Sequence, residues 1–174
     1  MVRSCQSAGT REGYVVRGEL TLVSGNLYQY SVTEEKLFFE EVAEGATAPE
    51  VSHTLTRTDL VMYAGASGDF NPMHTDEVSA QAAGLPSVFG HGMLTAGILA
   101  TAVTDYVGVG NLRNYKVRFT KQTWPGETLT TRVVVQKKYE EHGEHRVDLE
   151  CSVVNEAGEA KLTGVAVAAL PARA

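Results

Sequence analysis

Two polar loops in the middle of the chain carry residue types that could perform acid and base chemistry. The first contains Asp69 and His74, with Asn71 and Pro72 between them. The second, Gly90-His91-Gly92, precedes a long apolar run rich in small residues. A carboxylate and an imidazole can exchange protons near neutral pH, and a glycine at a helix start can offer its backbone N–H to developing negative charge. These parts suit proton transfers on a carbonyl compound.

Start and stop signals predict three helices around these loops. A capping-box sequence at Thr56–Asp59 begins a short helix, which Gly65 and Gly68 end. Acidic residues begin a second helix within Asp76–Gly84. The third and longest, from about Gly92 to Val107, is expected to be buried because it is almost wholly apolar. The two chemical loops therefore lie between helices.

The C-terminal third of the chain reads as strands, because polar and apolar residues alternate along it. The predicted strands are 116–120, 129–135, 147–153 and 162–170, joined by polar connectors at 140–144 and 156–158. His142 and His145 are interpreted as solvated residues of the charged hairpin loop around the first connector. One long helix with consecutive antiparallel strands predicts an α+β fold, with the sheet wrapped around the helix.

The N-terminal residues are set apart from this pattern. Residues 13–32 read as a hairpin broken at Ser24-Gly25-Asn26, a moderate strand signal. We therefore divide the chain into an N-terminal extension of uncertain role, residues 1–35, and one domain, residues 36–174.

Composition excludes several classes of protein. With 174 residues, 43% of them hydrophobic, the chain can bury a real core, and its net charge of −6 argues against a nucleic-acid partner. Cys5 and Cys151 match neither a metal nor a disulfide spacing, which suits a reducing cytoplasm. No secretory signal is visible, and the apolar run is shorter than the ~20 residues that span a bilayer. A cytoplasmic protein without membrane insertion is expected.

A metal site is a weaker alternative for the same residues. Asp69, His74, His91 and Asp76 carry suitable ligand atoms, but their spacing matches no recognised pattern. We therefore expect no metal. His91 is interpreted as a packing residue beside a helix and is left out of the catalytic set.

The segments Ser67–His74, Gly90–Met93 and Tyr115–Phe119 resemble the MaoC-type hydratases and dehydratases of the hot-dog fold. The likeness runs from about Phe38 to the C-terminus and is nearest to bacterial (R)-specific enoyl-thioester hydratases and fatty-acid-synthase dehydratases. It implies an antiparallel sheet wrapped around a long central helix. It also implies reversible hydration of trans-2-enoyl thioesters of coenzyme A or acyl carrier protein to (R)-3-hydroxyacyl thioesters.

The resemblance also assigns roles to individual residues. Asp69 and His74 would be the catalytic pair, and Gly92 would contact the thioester oxygen. We expect Ser67, Asn71 and Pro72 to support the first motif. The family uses no metal or redox cofactor, and its chains pair across a two-fold axis, which implies a homodimer or a heterodimer.

One departure from the family and two alternatives remain. Ala100 stands where some hydratases of the family carry a serine near the aspartate, so that either this polar contact is dispensable here or Thr101 or Ser67 substitutes for it. A hot-dog thioesterase would use a carboxylate on or near the central helix, but residues 93–104 contain none. A non-catalytic partner subunit is the other alternative, and the intact pair of Asp69 and His74 argues against it.

Overall fold

The computed structural model describes residues 17–24, 27–33 and 37–173 of the chain. In the described residues there are three α-helices and seven strands. The helices are α1 (Arg57–Ser67), α2 (Glu77–Ala82) and α3 (Gly92–Val107). The strands are β1 (Arg17–Ser24), β2 (Leu27–Thr33), β3 (Ser52–Thr54), β4 (Leu112–Phe119), β5 (Thr128–Glu141), β6 (Glu144–Val154) and β7 (Ala160–Leu170).

One antiparallel sheet wraps around the longest helix. Its strand order is β3-β5-β6-β7-β4, so that β7 lies inside the sheet and β4 lies at an edge. Helix α3 contacts β4, β5, β6 and β7. Leu99 and Val103 of α3 are fully buried, and so are alternate residues of the strands, such as Leu149. This arrangement confirms the predicted α+β class.

The small residues of α3 differ in whether they are buried or exposed. Ala96 and Ala102 are buried, and Ala96 belongs to the core cluster, where its small size allows close packing. Gly97 lies on the other side of the helix, and a Cβ added there would meet nothing within 4 Å. The absence of a side chain at Gly97 therefore does not bring a strand closer to the helix.

The capping box of α1 forms as predicted. Thr56 Oγ1 accepts a hydrogen bond from Asp59 N at 3.1 Å, and Asp59 Oδ2 accepts one from Thr56 N at 2.7 Å. The predicted stop at Gly65 is wrong, because this residue lies inside the helix. Gly68 ends the helix instead, since its φ of 75° is a left-handed conformation that glycine adopts at little cost.

The hairpin between β5 and β6 is tighter than predicted. Both strands continue through Glu141 and Glu144, which are paired, and only His142 and Gly143 form the turn, with φ of 53° and 76°. His145 therefore lies in β6, and its placement in the loop is wrong. Its Nδ1 lies 3.5 Å from Glu140 Oε1.

Strands β1 and β2 form a two-stranded antiparallel sheet of their own. The hairpin signal is thus confirmed for the strands, while residues 13–16 and the turn residues Gly25 and Asn26 lie outside the described part of the chain. The division at residue 35 remains a prediction, because the pairing of two strands with each other does not establish an independent unit.

The environment of Cys151 bears on the expectation that the cysteines are neither metal ligands nor part of a disulfide. Cys151 is a buried free cysteine in β6, and burial raises the pKa of its thiol to about 12. It is therefore an unreactive thiol at neutral pH, whereas Cys5 lies outside the described residues.

Among the helices in residues 37–173, none has both the length and the apolar character needed to cross a bilayer.

Candidate active site

The loop after α1 presents Asp69 to solvent. Asp69 Oδ1 accepts a hydrogen bond from Asn71 N at 3.2 Å, and Asp69 N donates to Ser67 Oγ at 3.2 Å. The Ser67 hydroxyl donates to Tyr63 O at 2.7 Å, in the last turn of α1. These local bonds hold the Asp69 backbone at a helix end while its carboxylate stays exposed.

His74 is buried at the end of a short 3₁₀ turn, Pro72–His74. Pro72 occupies the first position of this turn, where no backbone donor is needed, and Asn71 Oδ1 accepts from Met73 N at 3.1 Å. His74 Nδ1 lies 2.8 Å from the carbonyl oxygen of Phe89. Because a carbonyl only accepts, Nδ1 carries the proton, and Nε2 of the neutral ring is left as a base.

Asp69, His74 and His91 converge in space. One potential ligand atom from each lies within 4.8 Å of the other two. Asp76, the fourth residue of the possible metal set, is instead the N-cap of α2, where Oδ1 accepts from Val78 N at 2.9 Å. Hydrogen bonds also engage one nitrogen of each histidine, His74 Nδ1 with Phe89 O and His91 Nε2 with Asp69 O.

Gly92 is the first residue of α3, as predicted. A helix leaves its first N–H groups without intrahelical acceptors, so the Gly92 N–H can bind an external oxygen. The ring of Phe119, at the end of β4, closes over this glycine. A Cβ added at Gly92 would lie 3.1 Å from Phe119 Cε1 and 3.2 Å from Cδ1. Only a glycine fits here without displacing the ring.

A cleft of about 290 Å³ opens beside Gly92. Its lining includes Phe89, Gly90, Gly92, Thr95, Phe119 and Thr123. Gly90 N donates to Thr123 O at 2.7 Å, and a Cβ at Gly90 would overlap the Thr123 hydroxyl, so the second loop is fitted closely against the residues before β5. A larger concavity of about 790 Å³ is formed by β4 to β7; it includes Lys116, Val117 and Arg118 of the third segment but no residue of the two chemical loops. The smaller cleft is therefore the candidate substrate site.

An ion-pair cluster around the buried Lys161 supports one wall of this cleft. Lys161 is 3% exposed, and its Nζ lies 2.7 Å from both Glu127 Oε1 and Glu159 Oε2. Burial opposes the charged ammonium, but the two carboxylates outweigh it and raise the pKa of Lys161. The Lys161 carbonyl accepts from Thr120 N at 3.1 Å and so joins the cleft loop to β7. Sequence analysis missed this cluster, although a lone lysine in an apolar strand was a signal.

Residues 39–157 match the family model of the MaoC like domain, which is more than half of the chain. The chain belongs to the MaoC-like family. This result confirms the family that the two motifs indicated.

Relatives and solved structures of this family agree with the match. The (R)-specific enoyl-CoA hydratase of Rhodospirillum rubrum is 31% identical over 138 residues, 78% of this chain and 93% of that relative. The 3-hydroxyacyl-thioester dehydratase Y of Mycobacterium tuberculosis is 40% identical over 80 residues, 44% of this chain and 28% of that relative. The unliganded R-hydratase PhaJ1 from Pseudomonas aeruginosa has a TM-score of 0.71 at 26% identity, covering 79% of this chain and 88% of that one. The hot-dog fold is confirmed, and the chain is a hydro-lyase.

Neither of the two possible substitutes for a serine at Ala100 has a hydrogen bond to the Asp69 carboxylate in the described structure. Thr101 does not contact Asp69, because its hydroxyl donates to Gly97 O at 3.1 Å on the exposed side of α3. Ser67 does contact Asp69, although it binds the backbone N–H and not the carboxylate. Ser67 thus fixes the main chain of Asp69, while the carboxylate is oriented by Asn71 N.

Proposed function

We propose that Asp69 and His74 catalyse the reversible addition of water to trans-2-enoyl thioesters, which gives (R)-3-hydroxyacyl thioesters. The observation that carries the proposal is the convergence of these two side chains within 4.8 Å beside the start of α3. His74 Nε2 is the free base of the pair, since Nδ1 is held by Phe89 O. A general acid and base placed in this way typically contribute ~10²–10⁴-fold to a rate.

In hydration, one water molecule lies between the Asp69 carboxylate and His74 Nε2. The water oxygen bonds to C3 of the enoyl chain, while His74 Nε2 removes one of its protons. As the water adds, the π electrons of the C2–C3 bond shift onto the thioester as an enolate, and the Asp69 carboxylate orients the water. The His74 imidazolium so formed then gives its proton to C2, the enolate electron pair forms the new C–H bond, and His74 is neutral again. Dehydration reverses every step, so the same two side chains serve both directions.

Negative charge gathers on the thioester oxygen during this reaction. The N–H of Gly92 is the donor that we propose for it, because the positive end of the α3 dipole is concentrated there. A glycine at this position also lets the thioester approach the main chain under the ring of Phe119. Charge is therefore stabilised where it forms.

The proposal also covers the carrier of the acyl substrate, the oligomeric state and the cellular location. Thioesters of coenzyme A or acyl carrier protein are the proposed substrates, since the relatives are named for enoyl-CoA and hydroxyacyl-thioester chemistry. A homodimer or a heterodimer is proposed because β4, at the edge of the sheet, has one side left for pairing with a second chain. A cytoplasmic location is proposed from the buried, reduced Cys151.

The test is a spectrophotometric assay with crotonyl-CoA and a longer enoyl-CoA, run beside an assay for released thiol. Hydration removes the enoyl absorbance without releasing thiol, whereas a thioesterase would release thiol. Asp69→Asn and His74→Ala should each lower kcat by ~10²–10⁴-fold with the fold intact. Asp76→Asn is the matched control, because asparagine is as good an N-cap as aspartate. A folded Asp69→Asn or His74→Ala enzyme with parental kcat would refute the assignment.

A further inference from the structure

His91 is enclosed between the two parts of the candidate site. Its side chain is 1% exposed, although it directly precedes the exposed Gly92. The ring lies against His74, with centroids 3.9 Å apart and planes inclined at 32°, and its centroid is 5.0 Å from that of Tyr63. A polar imidazole is therefore buried at a position where an apolar side chain of similar size would fill the same space.

The hydrogen bond of His91 is directed at the backbone of Asp69. His91 Nε2 lies 3.1 Å from the Asp69 carbonyl oxygen. A carbonyl only accepts, so Nε2 carries the proton of the neutral ring and Nδ1 does not. Nδ1 is buried and has no hydrogen-bond partner among the described residues. His91 and His74 consequently hold opposite tautomers, with His74 protonated on Nδ1.

The contacts of His91 connect three parts of the candidate site: the Asp69 loop, the His74 ring and the start of α3. The imidazole of His91 holds the main chain of Asp69, covers one face of the His74 ring, and belongs to the residue whose peptide bond supplies the Gly92 N–H. We propose that His91 is a positioning residue that fixes the Asp69 loop relative to His74 and to the start of α3. This inference rests on the proposed function of Asp69 and His74, and it assigns His91 no contact with the substrate.

The bond matters because the other hydrogen bonds of Asp69 are local. They reach Ser67, the last residue of α1, and Asn71, two positions further on. The bond from His91 spans 22 positions of sequence and ties Asp69 to the residue that precedes α3. Misplacement of a reacting group by about 1 Å can cost ~10²-fold in rate.

Three substitutions separate the hydrogen bond from the packing. In His91→Gln an amide nitrogen can occupy the position of Nε2, whereas in His91→Asn it reaches only the position of Nδ1. His91→Leu keeps the apolar volume and has no donor. We expect His91→Leu and His91→Asn to lower kcat by roughly 10- to 100-fold with KM changed little, and His91→Gln to restore most of the loss. A purely structural role would not produce rescue by glutamine.

Long-range proton–nitrogen NMR of the protein with isotope-labelled histidine gives a second readout that needs no activity. The His91 signals are assigned by their loss in His91→Gln, and a proton on Nε2 is expected. A proton on Nδ1, a parental kcat in folded His91→Leu, or a glutamine variant as slow as the asparagine variant would each overturn the proposal. If His91→Leu fails to fold, comparing kcat of His91→Gln with that of His91→Asn still decides whether the hydrogen bond from Nε2 matters. A parent chain that lacks hydratase activity would refute the proposed function, while the tautomer measurement would still test the His91 bond.

Discussion

Replacing Gly92 tests the proposed thioester contact most directly. The Cβ of an alanine would lie 3.1 Å from Phe119 Cε1 and 3.2 Å from Cδ1, a few tenths of an ångström closer than ordinary contact. Phe119 is 52% exposed, so its ring can move outward. We expect a cost near the lower end of the ~1–3 kcal/mol typical of overpacking for Gly92→Ala, and a larger one for Gly92→Val, whose branched side chain adds two further carbons.

The kinetic effect should exceed the effect on stability. A side chain at Gly92 stands between the thioester and the N–H, and loss of one such donor costs ~2.7–4 kcal/mol, or ~10²–10³-fold in rate. Gly92→Val should therefore lose ~10²–10³-fold in kcat with crotonyl-CoA, and Gly92→Ala less. Gly65→Ala is the matched control, since a Cβ there meets nothing within 4 Å, and it should keep its kcat and gain ~0.5–1 kcal/mol.

The double variant Gly92→Ala/Phe119→Leu separates the two effects. Leucine removes the ring that meets the new Cβ, so the melting temperature should return toward the parental value while kcat stays low. Full recovery of kcat would show that the Phe119 ring, and not access to the N–H, caused the loss. A folded Gly92→Val enzyme with parental kcat and KM would show that the thioester oxygen binds elsewhere.

Three further predictions concern the chain as a whole. Deletion of residues 1–35 should leave circular dichroism and hydratase activity of the five-stranded domain intact, because β1 and β2 pair only with each other; a truncated chain that fails to fold would place them in the core. Sedimentation velocity at micromolar concentration should show a dimer or larger, because β4 leaves a sheet edge unpaired, and an active monomer would contradict this. Treatment with EDTA should leave kcat/KM unchanged, since the proposed proton transfer by Asp69 and His74 needs no ion. Activity lost on chelation and restored by Zn²⁺ would instead assign a metal to the group formed by Asp69, His74 and His91.

The sequence predicted the parts of the fold that local signals determine. The bounds of α3 agree with the structure, because glycines stand at its start and just beyond its end, at Gly108. Gly65 was misjudged because a single glycine is tolerated inside a helix at modest cost. The position of His145 was misjudged because His142 and Gly143 suffice for a two-residue turn, which leaves the flanking charged residues in the strands.

The long-range part of the site could not be predicted. The motif residues Asn71 and Pro72 act within a few positions of Asp69, so their role could be inferred from spacing alone. The bond between His91 and Asp69, and the contact of Phe119 with Gly92, instead depend on how α1, α3 and β4 are packed. Such contacts are set by tertiary structure, and no periodicity in the sequence encodes them.

The buried thiol of Cys151 can be used to measure how often the strands around β6 separate. Cys151 is 1% exposed in β6, between β5 and β7, and its raised pKa leaves almost no thiolate in the native state. A thiol reagent can therefore modify it only when these strands separate, and the modification rate measures the free energy of that separation. In a Cys5→Ser background, the same measurement made with a bound thioester analogue would report how strongly the ligand holds the sheet closed.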